Sequence, residues 1–105
     1  MSQEDPVELI KRTIRSYLEE RCRDLLSYIS ISMQKRVRIA LRAMYRFYRS
    51  AEQYPRFIDA LREALSRDPD LLKRIGFEIE ILDSEEHLVI DSEEFEKLCR
   101  EISSK

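Results

Sequence analysis

A cationic segment between residues 30 and 50 contains the side chains whose types and spacing could do specific chemistry. It holds six arginine or lysine residues and no acid, although the chain of 105 residues has a formal charge of -2. Guanidinium groups bind phosphate oxygens through a planar fork, so such a segment could hold a nucleic-acid backbone without reading its sequence. The segment therefore predicts an anion-binding surface.

Helical periodicity would place most of these cations on one face. Between about residue 32 and residue 51 apolar residues recur every three or four positions, as on the buried side of an amphipathic helix. The opposite side carries five cations within an arc of about 80° at 3.6 residues per turn. We therefore predict a basic amphipathic helix over residues 32–51, beside which Tyr45 adds a stacking surface. The predicted binding residues are Lys35, Arg38, Arg42, Tyr45, Arg46 and Arg49.

The end of the chain carries the opposite charge. Residues 76–105 contain ten acids and three bases, which is a local charge of -7. These acids could fold over the cationic segment and neutralise it, and the cations would then need no partner. Nucleic acid, an acidic protein surface and internal neutralisation are therefore three alternatives for what the cations meet.

No enzyme motif accompanies the charge pattern. His87 is the only histidine, and the acidic run at residues 83–86 before it lacks the ligand spacing that a metal needs. A hairpin open to water is also a poor place for a general base. The sequence has no Gly-rich phosphate loop, no nucleophile elbow and no Cys–His pairing. We therefore expect a non-enzymatic protein without a metal or a cofactor.

Composition is typical of a small globular domain, which we predict to span residues 1–105. Hydrophobic residues make up 43% and charged residues 38%, and no apolar run approaches the roughly 20 residues that cross a bilayer. The acidic N-terminus lacks the apolar stretch of a signal peptide, so we expect a cytoplasmic protein that does not bind membranes.

Fourteen arginines against five lysines, with a single glycine and no asparagine, indicate a thermophilic source. Cys22 and Cys99 could be buried thiols or, in such a source, a disulfide.

Capping signals and periodicity predict the helices of the first part of the domain, residues 1–75. Asp5 followed by Pro6 begins a helix that continues to about residue 30. Pro55 precedes another helix, and Asp68 with Pro69 begins a short one that Gly76 ends.

The second part of the domain, residues 76–105, changes period. Strict alternation over residues 77–81 predicts a strand, with a turn at 83–86, a return strand at 87–90 and a closing helix to about residue 103. The predicted fold class is mainly α (α+β): three to four packed helices, a β-hairpin and a C-terminal helix.

The predicted hairpin offers a second way to bind a partner. Two strands alone leave both edges open, and Leu82 and Val89 could support pairing with another chain. Two hairpins joined edge to edge would give a four-stranded sheet in a two-fold dimer. Alternatively the hairpin packs on its own helices, with Glu78 and Glu80 on the face toward water. In either case we expect Phe77, Ile79 and Ile81 to lie against helices.

The leading hypothesis is a non-enzymatic binding subunit of a larger nucleic-acid-handling complex. Its basic helix over residues 32–51 would contact nucleic-acid phosphates without sequence preference. The alternative hypothesis is a protein–protein adaptor or homodimer that docks an acidic partner and makes no nucleic-acid contact.

Overall fold

The computed structural model describes residues 5–103, in which helices and a small antiparallel sheet are mixed, as predicted. In chain order the elements are α1 (Pro6–Ser32), β1 (Arg36–Ala40), a 3₁₀-helix (Leu41–Phe47), α2 (Phe57–Arg67), α3 (Leu71–Ile75), β2 (Glu78–Leu82), β3 (Glu85–Asp91) and α4 (Ser92–Ser103).

Helix α1 begins at the predicted cap but continues past the predicted end. The Asp5 carboxylate accepts a hydrogen bond from the Val7 N–H, and Pro6 occupies the first turn, where its missing N–H costs nothing. The helix ends at Met33, whose left-handed backbone (φ 55°, ψ 32°) turns its N–H back to the Ile29 carbonyl. Its 27 residues make a rod of about 40 Å.

The helix predicted over residues 32–51 is wrong. Residues 36–40 form strand β1, and the residues after it form the 3₁₀-helix and then an irregular segment up to α2. Val37 and Ile39 are buried while Arg38 between them is exposed, which is the period of two of a strand. Both buried residues are β-branched, a side-chain type that favours strands over helices.

The three strands form an antiparallel sheet in the order β1-β3-β2, so β3 is central and the other two are edges. Asp83 and Ser84 connect β2 to β3, and both have positive φ (51° and 65°), as in the two-residue turns that match the twist of a hairpin. One face of the sheet packs inward through side chains of β1 and β3, namely Val37, Ile39, Leu88 and Ile90.

The hydrophobic core lies between this face and the helices. Ile10 and Leu18 of α1 pack in one cluster with Leu61 of α2 and with Phe95 of α4. Phe77, which precedes β2, is also buried there. No residue of β2 itself belongs to the cluster, so this strand is the part of the sheet that the helices leave uncovered.

A disulfide between Cys22 and Cys99 joins α1 to α4, with the two Cα atoms 5.8 Å apart. Of the two alternatives for these cysteines, the structure therefore has the bond. The partners are 77 residues apart in sequence, so the bond closes most of the chain into one loop.

Candidate interaction surface

The predicted binding residues do not share one face, because their segment is not a helix. Lys35 precedes β1, and Arg38 lies on the outward face of that strand. Arg42 and Arg46 belong to the 3₁₀-helix, and Arg49 follows it. All five cations are exposed, as the sequence predicted, but their spacing along a single row is lost.

The acidic region neutralises two cations of the segment. Arg36 extends across the outward face of the sheet, where its Nη1 lies 2.9 Å from Glu80 Oε2 and its Nη2 lies 3.5 Å from Glu78 Oε2. Arg42 Nε lies 2.8 Å from Glu85 Oε1. Internal neutralisation, one of the three alternatives drawn from the sequence, therefore applies to Arg36 and Arg42.

Arg46 faces α1 instead of the acidic region. Its Nη2 is 3.9 Å from Glu20 Oε1, and its guanidinium carbon is 5.3 Å from the centroid of the Phe47 ring. An exposed ion pair at this distance contributes less than about 1 kcal/mol, so Arg46 keeps most of its capacity to bind another anion.

Three cations of the segment form no ion pair with any residue between 5 and 103: Lys35, Arg38 and Arg49.

Tyr45 is 51% exposed, and its ring centroid is 6.0 Å from that of Phe57. Together with Tyr48 and Pro55 these rings line a cavity of about 300 Å³. An exposed aromatic surface of this kind can stack a base or a peptide ring.

The outward face of the sheet has a small apolar centre under its charges. Val89 is fully buried, although it points away from the core, opposite to its neighbours Leu88 and Ile90. The Arg36 side chain passes over it from β1 to reach Glu80 on β2. The sequence placed Val89 near an edge, which is wrong, because its strand is the central one.

Strand β2 leaves two isoleucines in contact with water. Ile79 is 37% exposed and Ile81 is 72% exposed, whereas Phe77 just before them is 1% exposed. The expectation that all three pack against helices holds for Phe77 alone. Alternation predicts a strand with one apolar face, but it does not say whether the same chain covers that face.

The free edge of β2 also presents unused backbone groups. A two-residue turn makes Leu82 and Glu85 a hydrogen-bonded pair, and such pairs alternate along an antiparallel ladder. The N–H and C=O groups of Ile79 and Ile81 therefore point away from β3. Within residues 5–103 no other strand pairs with this side of β2.

His87 lies half-buried on the outward face, with its Nδ1 3.0 Å from the carbonyl oxygen of Glu85. Across the described part of the chain, no group of three or more His, Cys, Asp or Glu side chains could hold a metal ion. No helix formed by residues 5–103 combines the length and the apolar character that crossing a bilayer requires.

Protein-family models, curated proteins and solved structures contain no match to this chain. The surface of the described residues offers two features from which a function can be inferred. One is the partly neutralised cationic segment that includes edge strand β1, and the other is the uncovered apolar edge of β2.

Proposed function

We propose that this chain is a non-enzymatic protein-binding module that pairs the free edge of β2 with a strand of a partner polypeptide. The observation that carries the proposal is the exposure of Ile81 on an edge strand whose outward backbone groups pair with no other strand of residues 5–103. Strand addition of this kind obtains affinity from main-chain hydrogen bonds and specificity from alternate side chains.

Burial of the two isoleucines would supply part of the affinity. Full burial of an isoleucine side chain is worth about 1.5–3 kcal/mol relative to exposure. Ile79 and Ile81 lie on the same face of β2, two residues apart, so side chains of one partner strand can pack laterally against both and bury part of their exposed area.

The edge lacks the usual protection against pairing. Edge strands are commonly shielded by lysines, prolines, bulges or charges on the inward face. Strand β2 has five residues in regular register with β3, without proline or lysine, and its inward-face side chains are isoleucines. The charge of Glu80 is drawn over the sheet by Arg36, away from the edge.

A model strand tests the proposal directly. We would titrate ¹⁵N-labelled protein with a capped peptide of alternating valine and threonine, and follow the backbone amide signals. The expected result is a selective shift of the Ile79 and Ile81 amides. The matched control is the same peptide N-methylated at alternate residues, which cannot donate to β2 and should shift neither signal. Unchanged Ile79 and Ile81 signals with the first peptide, in a sample that light scattering shows to be monomeric, would overturn the proposal.

Nucleic-acid contact is a second candidate, supported by the three cations without ion pairs among residues 5–103 and by the exposed ring of Tyr45. Phosphate binding by Arg38 and Arg49 would give affinity for random-sequence DNA that falls steeply with added salt. Replacing Arg38 and Arg49 by glutamate should abolish it. The control replaces Arg62 and Lys73, which makes the same change in charge elsewhere. Absence of binding at low salt would exclude this candidate.

The setting that we propose is the cytoplasm of a thermophile. Internal disulfides are rare in the cytosol of mesophiles but frequent in hyperthermophiles, and Cys22–Cys99 is such a bond. Reduced and oxidised forms of the protein, distinguished by gel mobility after rapid alkylation of cells, would test this setting.

A further inference from the structure

We infer that the partner strand is β2 of a second copy of this chain, paired antiparallel about a two-fold axis at Glu80. The inference rests on the proposed function and adds the identity of the partner. It predicts one continuous sheet of six strands in the order β1-β3-β2-β2-β3-β1.

Hydrogen bonding selects the register. In antiparallel pairing about Glu80, Ile79 of each copy lies opposite Ile81 of the other. Both residues direct their N–H and C=O groups away from β3, so each of these two pairs can exchange two hydrogen bonds. Leu82 then lies opposite Glu78, and every residue of β2 has a partner.

Other registers satisfy fewer groups. A shift by one residue would put isoleucine opposite glutamate on the same face. Pairing about Ile81 would set Ile79 against Asp83, which belongs to the turn and has a left-handed backbone. Pairing about Ile79 would require the backbone of Phe77, whose N–H already donates to the Leu72 carbonyl.

Charge also favours a second copy over a basic strand. Two Glu80 side chains directly opposite each other would repel, but each is already held by Arg36 at 2.9 Å. Arg36 Nη2 also lies 3.5 Å from Glu78 Oε2, so one guanidinium is shared by both glutamates of β2. A strand rich in lysine or arginine would have to displace Arg36 from the glutamates that it occupies, whereas a second copy leaves those ion pairs in place.

A single introduced thiol can report the register. The only two cysteines of the chain are bonded to each other, so Glu80→Cys adds the only free thiol. In the proposed register position 80 faces itself as a non-hydrogen-bonded pair with Cα atoms about 4.5 Å apart, which is within disulfide range. Mild oxidation should therefore give a covalent dimer on a non-reducing gel.

Glu78→Cys is the matched control, because it has the same residue type, strand and face. In the proposed register its counterpart lies about 14 Å away along the strand, since four residues at about 3.4 Å separate them. We expect no rapid dimer from this variant. No cross-link at position 80, or equal cross-linking at both positions, would overturn the register.

Molar mass by light scattering tests the second copy itself. The unmodified protein should give twice the chain mass, and Ile81→Asp should halve the measured mass. Ile81 is exposed, so this variant should keep its circular dichroism spectrum. A monomer at every concentration would overturn the inference. If such a monomer still shifted its Ile79 and Ile81 amides with the model peptide, edge binding would stand with another partner; if it did not, both proposals would fall.

Discussion

Arg36 and Glu80 join the two outer strands of the sheet by an ion pair across the central strand, with Nη1 2.9 Å from Oε2. The stem of Arg36 covers Val89, the one residue of the outward face that is fully buried. A long cationic side chain thus serves both as cover for an apolar residue and as partner for a carboxylate. This relationship explains why a side chain from the cationic segment is not free for a ligand.

Replacing Arg36 by methionine should lower the free energy of unfolding by about 0.5–1 kcal/mol, because the pair is partly exposed. Methionine keeps most of the apolar cover over Val89, so the loss reports the charge. The control is Arg38→Met on the same strand and face, which removes a cation without an ion pair among residues 5–103 and should have almost no effect. Urea unfolding at low and high salt measures both, and equal losses for the two variants would contradict the assignment.

Loss of the disulfide should lower stability by about 2–5 kcal/mol, because a bond across a long loop restricts the unfolded chain strongly. Guanidinium unfolding with and without a reductant measures this loss. The variant with both Cys22→Ala and Cys99→Ala should be insensitive to the reductant. An unchanged midpoint for the native protein under reducing conditions would show that the bond does not contribute.

Asp68 should make stability depend on pH in the acidic range. Hydrogen bonds from Arg74 hold the pKa of the Asp68 carboxyl below its usual 3.8. Since the pKa is lower in the folded state, the ionised pair stabilises the fold above the unfolded pKa, and this stabilisation disappears as the pH falls through the folded pKa. Asp68→Asn should therefore be less stable than the native protein near neutral pH, and the difference should shrink as the pH falls below 3.8.

The measurement for Asp68 is urea unfolding across this pH range. Asp70→Asn is a suitable control, because the Asp70 side chain does not cap α3. A difference between native protein and Asp68→Asn that persisted at the lowest pH would contradict the ion-pair explanation.

Gly76→Ala should destabilise the fold by about 1–3 kcal/mol, since φ at this position is 110° and residues with a side chain rarely adopt that backbone angle. An added Cβ would also lie 3.3 Å from Ile90 Cδ1. Ile90→Val removes that atom, so the double variant should lose less stability than the sum of the two single losses. Strictly additive losses in urea unfolding would show that the contact with Ile90 plays no part.

Local signals in the sequence predict several boundaries of the fold. Asp5 and Pro6 begin α1, Gly76 ends α3, and the hairpin forms at residues 78–91 as β2 and β3. In each case the determining interaction joins residues close in sequence, such as a cap, a left-handed stop or a short turn.

Strand β1 could not be predicted in the same way. Its pairing partner β3 begins almost fifty residues later, while arginine, alanine and leucine around it are good helix formers. Pairing with β3 decides the structure there, and the alternation at residues 36–40 is too short to outweigh the helical period of the residues around it. A similar limit applies to the site: the exposure of the cations and neutralisation by the acidic region were both foreseen as possibilities, but the sequence does not say that Arg36 pairs with Glu80 and Arg42 with Glu85.

The bond between Cys22 and Cys99 makes a covalent ring of everything from the second half of α1 to the last turns of α4. A protease that cut the irregular segment at residues 48–56 would therefore nick the ring without releasing a fragment. Both pieces would stay tethered, with β2 still presented at the surface, until a reductant separated them. Turnover of this protein would then be governed by thiol chemistry as much as by peptide-bond cleavage.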